Sequence, residues 1–442
     1  MGSYAQCWLG GLYVGSSKND VDHGIMQLFR PSDKRTLPAR SVDLPSQLKD
    51  WTDDLEDDDA NVVFYTTPAA VVQDRLELLG YTLDTAKSAF AKSLSVDAAN
   101  QAEWSRGAHG ELFKEEARLL GELTVNVWLD ALRTIKSKSL KQRARGGDVE
   151  GLEDPVLRFM LTHDWYGYSG PDLNIGLRLA LEACGCGDDF VYDLTDLVLG
   201  GDFSTDEDLV AYSMALTANE YASSGKVIVL TEGRSDARIL SESLALLYPH
   251  LADYFGFMDF EGVRIGGGAG SLVNIVKAFA GAGIVNRTVA LFDNDTAARA
   301  ALAGLRSIRL PSNIVVKHLP RLVELESYPT IGPTGSALMN VNDVAGGLEL
   351  YLGSDVLTEP SGTPMPVQWT GYDVGLGELV SKAQAQDRFW AQLKACQTDP
   401  GRVATTDWRG LRAILGELFT AFRNLDRDQI LAGLDDYYGD RD

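Results

Sequence analysis

Four short runs of apolar, largely β-branched residues lie in the second half of the chain, and apolar residues at helical spacing separate them. Runs of this kind are typical of strands that are buried on both faces of a parallel sheet. Strands that alternate with helices predict right-handed crossovers and a parallel core. The predicted strands are 226–231, 261–265, 288–292 and 313–319, and the predicted helices between them are 235–248, 270–281 and 296–305.

The first half of the chain has two other patterns. Short apolar stretches lie around glycine-rich turns over residues 4–30 and predict two or three short strands, and Val62–Tyr65 is predicted as another short strand. From about Ala69 apolar residues recur at helical spacing instead. The predicted helices are 69–79, 84–94, 96–106, 109–143, 153–163, 173–185 and 206–222. Helical spacing returns over about 380–437.

These patterns predict an α/β protein with four regions. A Rossmann-like domain, which is a mainly parallel sheet with flanking helices, is expected at 223–320. A small N-terminal β-containing module at 1–70 and a helical domain at 71–222 precede it. A C-terminal accessory region at 321–442 follows it and ends in helices.

Charge and composition limit the classes of protein to which the chain can belong. The net charge of −23 argues against a protein that coats nucleic acid, since such a protein would be basic. It leaves room for an enzyme that touches phosphates through a metal ion and a few cationic side chains. No apolar run approaches the roughly 18 residues of a membrane span, and the N-terminus lacks the pattern of a secretory signal. The four cysteines lack the paired spacing of a zinc site, so we expect a cytoplasmic protein with reduced thiols and no membrane contact.

Acidic side chains follow two of the predicted strands at the point where each strand ends. Glu232 follows the first strand, and Asp293 and Asp295 follow the third. Because ligand sites of open α/β sheets lie beyond the carboxyl ends of the strands, we expect these carboxylates to meet at one edge of the sheet. Like charges need a cation between them, and carboxylate oxygens suit Mg²⁺ or Mn²⁺. The structural alternative is that the same acids cap helices and turns.

These residues resemble the signature of the Toprim domain, which occurs in topoisomerases, bacterial primases and several nucleases. The signature is a Glu-Gly pair with an acid four residues later, and an Asp-x-Asp after a later strand. The matching residues are Glu232, Gly233, Asp236, Asp293 and Asp295. The resemblance implies that Asp293 and Asp295 hold the metal ion, with Asp236 as a further ligand. It also implies that Glu232 is either a ligand or the base that aligns the attacking group.

Two later residues complete the set that this resemblance implies. Some Toprim nucleases have a later acid at a second metal site, and Glu349 resembles it, with a surface acid as the alternative. Lys317 ends the fourth strand and is expected to stabilise phosphate charge in catalysis, unless it is a solvated cation. The expected chemistry is cleavage of a phosphodiester bond, for which a divalent ion activates water and offsets charge on the phosphate.

A glycine-rich segment, Gly266–Ser271, opens a predicted helix directly after a strand. Backbone amides at such a turn bind phosphate groups. The segment lacks the Gly-Lys-Ser/Thr ending of a nucleotide-binding P-loop, so we expect a tight turn that contacts the substrate backbone. The residues expected to bind substrate, from this turn and from the Glu-Gly pair, are Gly233, Arg234, Gly267, Gly268 and Ser271.

A competing catalytic motif lies in the predicted helical domain. Arg158 and His163 are similar to the Arg-x₄-His signature of HEPN ribonucleases, which act on a ribose-phosphate without a metal ion. A single His on an apolar helix is more often a structural or surface group than a catalyst. Both interpretations stay open at this point, and the helical segment is either an unrelated domain or a degenerate HEPN-like one.

A resemblance to one bacterial family covers nearly the whole chain. The N-terminal block from Met1 to Asp20 and the later segment from Pro329 to Gly353 are similar to HEPN/Toprim-associated proteins. In that family an N-terminal module is joined to either a HEPN or a Toprim effector, and a role in antiviral defence is implied. The resemblance implies a Mg²⁺- or Mn²⁺-dependent nuclease that cleaves DNA or RNA, with a homo-oligomer or a defence-system protein as partner.

Two alternatives to a metal-dependent nuclease remain at this stage. The first is a metal-independent HEPN-type ribonuclease that uses Arg158 and His163. The second is a non-catalytic sensor or assembly protein whose Toprim domain only binds nucleic acid or a nucleotide. A divalent-ion titration of cleavage distinguishes the three classes, because they differ in their need for a metal ion.

Overall fold

A computed structural model describes residues 2–52, 60–106, 113–142, 149, 151–220, 225–258, 266–369 and 377–439. The chain forms two compact units. Unit 1 is made of Met1–Glu220 and Arg423–Asp442, and unit 2 is made of Tyr221–Phe422. Unit 2 is therefore an insertion in the chain of unit 1, and each unit has its own hydrophobic core.

An antiparallel sheet of five strands organises unit 1. Its strands are β1 Tyr4–Leu9, β2 Leu12–Lys18, β3 Lys34–Pro38, β4 Asn61–Pro68 and β5 Asp189–Asp193. Their order across the sheet is β2-β1-β5-β4-β3, so the strand that comes last in the chain lies at the centre. Alternate residues of β1 are buried, as expected for a strand with one face on the core.

Helices follow and interrupt these strands in unit 1. Those that precede unit 2 in the chain are α1 His23–Met26, α2 Ser46–Thr52, α3 Ala69–Leu78, α4 Leu83–Trp104, α5 Lys114–Glu122, α6 Val125–Ser137, α7 Pro155–Thr162, α8 Leu173–Cys184, α9 Thr195–Leu199 and α10 Leu209–Glu220. Several of them begin at side chains that accept hydrogen bonds from first-turn amides, which explains where these helices start. These capping residues include Asp22, Thr82, Thr124, Asp154 and Asp172.

A parallel sheet of four strands organises unit 2. Its strands are β6 Val227–Leu230, β7 Phe255–Phe257, β8 Thr288–Phe292 and β10 Ile314–His318, and β9 is the short strand Asn294–Asp295. The order across the parallel sheet is β10-β8-β6-β7. The helices of this part are α11 Arg234–Leu247, α12 Ala269–Ala282 and α13 Thr296–Leu302. The alternation is the predicted α/β arrangement and is compatible with a Rossmann-like fold.

The part of unit 2 that follows β10 consists of short strands and helices. Its strands are β11 Tyr328–Gly332, β12 Gly335–Met339, β13 Ala345–Gly346, β14 Val367–Trp369 and β15 Gly377–Leu379. Its helices are α14 Ser354–Leu357, α15 Lys382–Thr398 and α16 Arg409–Phe419. Four of the strands form a sheet in the order β12-β11-β14-β15, whereas β13 pairs with β9. That pairing joins this part of the chain to the edge of the parallel sheet.

The chain returns to unit 1 through α17, Arg423–Gly439. Leu434 on this helix is buried in the core of unit 1. Gly80, with a φ of +90°, lies directly against the helix, where an added Cβ atom would come within 2.2 Å of Asp426 Cβ. The close approach and the left-handed backbone both require glycine at this position.

Several elements differ from the sequence-based expectation. α4 runs without a break across the two helices predicted at 84–94 and 96–106. The helix predicted at 109–143 is divided into α5 and α6, because Thr124 caps a new helix. β5 was not expected, since its partners β1 and β4 lie far earlier in the chain. The strand predicted at 261–265 lies outside the described residues, and β7 is the strand beside β6.

The described residues contain no helix with the length and apolar character that crossing a membrane requires. All four cysteines are free thiols, and two of them, Cys7 and Cys396, are buried.

Candidate active site

The first two acids meet where neighbouring strands of the parallel sheet end. β6 pairs with β8 with Leu230 opposite Ala290, so Glu232 and Asp293 follow adjacent strand ends. The backbone amide of Asp293 donates a hydrogen bond of 2.9 Å to Glu232 Oε1. The parallel register thus places one carboxylate beside the backbone of the other acid.

Asp236 joins these acids from the first turn of α11. This helix begins directly after the Glu-Gly pair, with Gly233 as its N-cap residue. Ser235 Oγ donates to Asp236 Oδ1 over 3.1 Å. Burial, and then the charge of a further acid, Glu349, raises the pKa of Asp236. An acid in a first turn is favoured by the helix dipole, but here it also faces other negative charge.

Glu349 reaches the site through the pairing of β13 with β9, in which Gly346 lies opposite Asn294. The Glu349 side chain is only 3% exposed. A Cβ atom added to Gly347 would lie 3.3 Å from Glu349 Oε2 and 3.8 Å from Asp293 Oδ2. These two carboxylate oxygens therefore border the same small space.

A lysine that the sequence analysis did not single out offsets part of this charge. Lys382 begins α15, and its Nζ atom lies 3.2 Å from Glu349 Oε2. Gln386, one helical turn later, donates to Glu349 Oε1 over 2.8 Å. The spacing of four residues within the predicted helical region 380–437 places both on one helix face, which was the available signal. Nothing in that spacing points to Glu349 as their partner.

The pKa values show how strongly these groups act on one another. Burial, together with the charges of two neighbouring acids, raises the pKa of Glu232 to about 7. Burial, followed by the charges of the surrounding acids, raises the pKa of Asp293 well above its usual range. Burial lowers the pKa of Lys382, but the charges of Glu349 and other acids outweigh burial and raise it. Lys382 therefore offsets only part of the repulsion among these carboxylates.

Asp295 lies next to this group and also has a structural task. Its Oδ1 atom accepts a hydrogen bond of 2.7 Å from the Ala298 amide and so caps α13. After burial, its charge also contributes to the raised pKa values of Glu232 and Asp293. The second acid of the Asp-x-Asp pair is therefore a helix cap that adds to the negative charge of the site.

The donor atoms at this edge fit a hard divalent cation in their chemistry. The charge of Glu349 contributes, after burial, to the raised pKa values of Asp236 and Asp293, and a cation between these carboxylates would offset that repulsion. Within the described part of the chain, no three His, Cys, Asp or Glu side chains are already arranged as metal ligands. Mg²⁺ keeps several waters and is often held by one or two carboxylates with substrate phosphates, so a preformed cage is not required.

The glycine-rich turn lies directly against the Glu-Gly pair. The Gly268 amide donates a hydrogen bond of 2.7 Å to the Glu232 carbonyl oxygen, so this amide is already used within the protein. A Cβ atom added to Gly267 would lie 3.0 Å from the same oxygen. Ser271 lies in the first turn of α12, and Arg234 is exposed at the start of α11. The glycine-rich turn thus lies against the backbone of Glu232.

Lys317 and His318, at the end of β10, have different partners. Lys317 Nζ donates to Glu417 Oε2 over 2.6 Å, an ion pair with α16. His318 Nδ1 lies 2.9 Å from the carbonyl oxygen of Asp293. Side chains alternate along a strand, so the two residues face opposite sides of the sheet. The lysine that contacts the carboxylates is thus Lys382, and Lys317 pairs elsewhere.

The competing Arg158 and His163 lie in unit 1, within and directly after α7. Their side chains are 49% and 42% exposed. Arg158 Nη2 lies 3.9 Å from Glu115 Oε1, and His163 Nε2 lies 3.6 Å from Glu116 Oε1. His163 Nδ1 also lies 2.9 Å from the carbonyl oxygen of Phe159. Each of the two side chains therefore lies beside a glutamate of α5, whose negative charge opposes a phosphate there.

Comparison with known proteins identifies the N-terminal part of the chain. Residues 1–215 match the family described as HEPN/Toprim N-terminal domain 1. The matched residues correspond closely to the first segment of unit 1, which ends at Glu220. The chain has no match among curated proteins or among solved structures.

Proposed function

Because the chain is a HEPN/Toprim-associated protein, with the family's N-terminal domain at residues 1–215, we propose that unit 2 is its Toprim-type effector. In this proposal unit 2 is a nuclease that hydrolyses phosphodiester bonds of DNA or RNA with Mg²⁺ or Mn²⁺. We further propose that the protein acts in the cytoplasm, in bacterial antiviral defence. In this proposal unit 1 serves regulation, assembly or the binding of a partner. The supporting observation is the group of buried, mutually repelling carboxylates at the end of the parallel sheet.

The position of the acids supports catalysis over a purely structural role. A capping carboxylate needs amide donors, and the hydrogen bond between Asp295 and the Ala298 amide is an example. The partners of Glu349 are instead Lys382 and Gln386, and the side chain is almost fully buried beside another acid. Burying like charges together costs stability, and such cost is typical of functional sites.

The side chains of the site have three separate tasks in this proposal. Asp293, Asp236 and Glu349 would hold the cation, which when bound would lower the pKa of water and offset the charge on the phosphate. Glu232, adjacent to them, accepts the proton of the attacking water. The water oxygen forms a bond to phosphorus, the bond from phosphorus to the ester oxygen breaks, and that oxygen leaves with a proton from solvent. Lys382 takes the phosphate-stabilising role first expected of Lys317.

The metal-independent alternative has less support from the geometry. A HEPN-type reaction needs Arg158 and His163 to face the same ribose-phosphate, and each side chain instead lies beside a glutamate of α5. A metal-independent ribonuclease and a protein that binds nucleic acid without cleaving it are therefore the two results that would count against the proposal.

The test is an incubation of the purified protein with DNA and RNA strands and duplexes in Mg²⁺, in Mn²⁺ or in EDTA. We expect cleavage in the metal-containing samples and none in EDTA. The Asp293→Asn variant should be inactive, whereas Asp387→Asn, which removes an exposed acid of α15 in the same unit, should retain activity. Cleavage that persists in EDTA and survives Asp293→Asn would overturn the proposal and favour the HEPN-type reaction.

A further inference from the structure

A groove of about 520 Å³ runs between α11 and α15 beside the carboxylates. Among its lining residues are Arg234, Ser235, Arg238, Phe257, Gln386 and Trp390. The first three come from α11, the last two come from α15, and Phe257 ends the edge strand β7. The groove therefore lies wholly within unit 2 and has walls of regular structure.

Two of the lining residues connect the groove to the proposed metal site. Ser235 Oγ donates to Asp236, and Gln386 Nε2 donates to Glu349. Ser235 and Gln386 thus both contact a carboxylate and line the groove. A nucleic-acid strand with one phosphate bound at the carboxylates would extend into this groove.

The walls carry aromatic and cationic groups at helical spacing. On α15, Lys382, Gln386 and Trp390 are each four residues apart and share one face. On α11, Arg234 and Arg238 have the same spacing. The guanidinium carbon of Arg238 lies over the indole ring of Trp390, 4.5 Å from the ring centre, which is a cation–π contact between the two walls of the groove. On α15 the charged Lys382 lies against Glu349, and Trp390 lies two helical turns further along.

This combination selects a class of ligand. Stacked indole and guanidinium planes bind the flat face of a nucleobase, and arginines bind phosphate. A protein with a net charge of −23 has little long-range attraction for a polyanion, so local groups of this kind must supply the affinity. Glu242 is an acid of the same wall, so the groove does not simply attract any anion.

We propose that the groove binds an unpaired nucleotide next to the scissile phosphate, with its base on the Arg238–Trp390 pair, so that single strands are the preferred substrate. In a duplex both faces of a base are covered by its neighbours, and the base reaches such a platform only after it unstacks. This inference rests on the proposed function, because it places the scissile phosphate at the carboxylates. It adds the substrate class that the carboxylates alone do not define.

The first experiment measures binding without turnover. Fluorescein-labelled oligothymidylate and oligouridylate single strands, and a blunt duplex of equal length, are titrated with the full-length protein in EDTA, and anisotropy is recorded. We expect tighter binding of the single strands. Trp390→Ala should weaken single-strand binding roughly 5- to 150-fold, which is the effect of losing one base-stacking partner. Trp390→Phe retains an aromatic face and should restore most of the affinity.

Two controls separate the groove from general effects. Trp104→Ala removes a tryptophan of unit 1 that is 54% exposed, and it should leave the affinity unchanged. Binding of the duplex should differ little between the wild-type protein and Trp390→Ala. The inference is overturned if Trp390→Ala has no effect, if it weakens single strands and the duplex equally, or if Trp390→Phe binds as weakly as Trp390→Ala.

A second readout separates this inference from the proposed nuclease activity. In Mn²⁺, loss of single-strand preference in Trp390→Ala with cleavage of the duplex retained supports the groove. Retained single-strand preference in that variant would overturn it. If the wild-type protein binds as expected but cleaves nothing, the proposed nuclease function fails while the nucleotide-binding groove stands.

Discussion

Buried carboxylates occur in both units, but their surroundings differ. In unit 1 Asp172 caps α8, with its Oδ1 atom accepting from the Asn174 amide over 3.0 Å and its Oδ2 atom accepting from the Tyr81 hydroxyl over 2.7 Å. In unit 2 Asp293 has four other acids among the causes of its raised pKa. The comparison separates a carboxylate that is buried for structure from carboxylates that are buried together.

Burial raises the pKa of the carboxylate in both cases, so a raised pKa alone does not mark a functional site. The difference is in what comes after burial. For Asp172 the next causes are hydrogen bonds, which lower its pKa and leave it at about 6. For Asp293 the next causes are like charges, which raise its pKa further. A bound cation would therefore stabilise the clustered carboxylates around Asp293, where it offsets their mutual repulsion.

Replacing Asp293 should have the largest effect. Asp293→Asn keeps the shape of the side chain but removes a ligand charge, so we expect cleavage to fall by a factor of at least about 100. The same change removes like-charge repulsion, so the variant should melt at a higher temperature than the wild-type protein in EDTA. Adding Mn²⁺ should raise the melting temperature of the wild-type protein more than that of the variant. A variant that melts much lower in EDTA would mean that Asp293 is a structural group.

Asp172 should produce a dependence of stability on pH in unit 1. Burial raises its pKa in the folded protein to about 6, above the usual value of 3.8 for an aspartate. Between about pH 4 and pH 6 the folded state therefore binds more protons than the unfolded state. The stability that this provides is full below about pH 4 and is lost as the pH rises through 6, with a size on the order of 3 kcal/mol. Asp172→Asn should lack this contribution.

The measurement for Asp172 is the free energy of unfolding from denaturant titrations of both proteins between pH 4 and 7. The variant should gain stability relative to the wild-type protein as the pH rises, because the wild-type protein must ionise a buried group. A constant difference between the two proteins over this interval would contradict the assigned pKa. Metal ions should not change the result, in contrast to the carboxylates of unit 2.

The pairing of β13 with β9 can be tested with a single methyl group. A Cβ atom at Gly346 would lie 2.8 Å from the carbonyl oxygen of Asn294, so Gly346→Ala should destabilise unit 2 by about 1–3 kcal/mol. It should also weaken Mn²⁺ binding, measured by calorimetry, because Glu349 is held by this pairing. Gly281→Ala is the matched control, since a Cβ atom there meets nothing within 4 Å. Equal effects of the two changes would show that the pairing does not hold the site.

Changing the competing motif should have the smallest effect. Arg158→Ala combined with His163→Ala removes two partly exposed side chains, so we expect cleavage and stability close to those of the wild-type protein. Cleavage rates in Mn²⁺ and in EDTA measure this directly. A large loss of activity in the double variant would move the catalytic site to unit 1.

The sequence was most informative where one local pattern carries both structure and chemistry. β8 was predicted at 288–292 and lies at Thr288–Phe292, because a buried parallel strand is a continuous apolar run. The acid that follows the strand needs no further information to be placed at the sheet edge. The position of the carboxylates at this edge of the sheet could therefore be predicted from the strand and the acid that follows it.

Other parts of the site depend on contacts that a local pattern does not contain. Lys382 looks like the exposed start of a helix, and its partner Glu349 lies more than thirty residues away. Likewise, Lys317 has the strand position of a site residue, but its side chain leaves the strand on the side of Glu417. The direction of a side chain at a strand end depends on register, and a shift of one residue reverses it.

The insertion of unit 2 into unit 1 has a consequence for the order in which the chain folds during synthesis. α17, whose Leu434 lies in the core of unit 1, leaves the ribosome only after all of unit 2 has been made. Domains fold as units while the chain emerges. Unit 2 can therefore acquire its fold while unit 1 still lacks its last helix. Unit 1 is begun first and completed last, so a chain that carries a complete unit 1 has already been translated through its proposed effector.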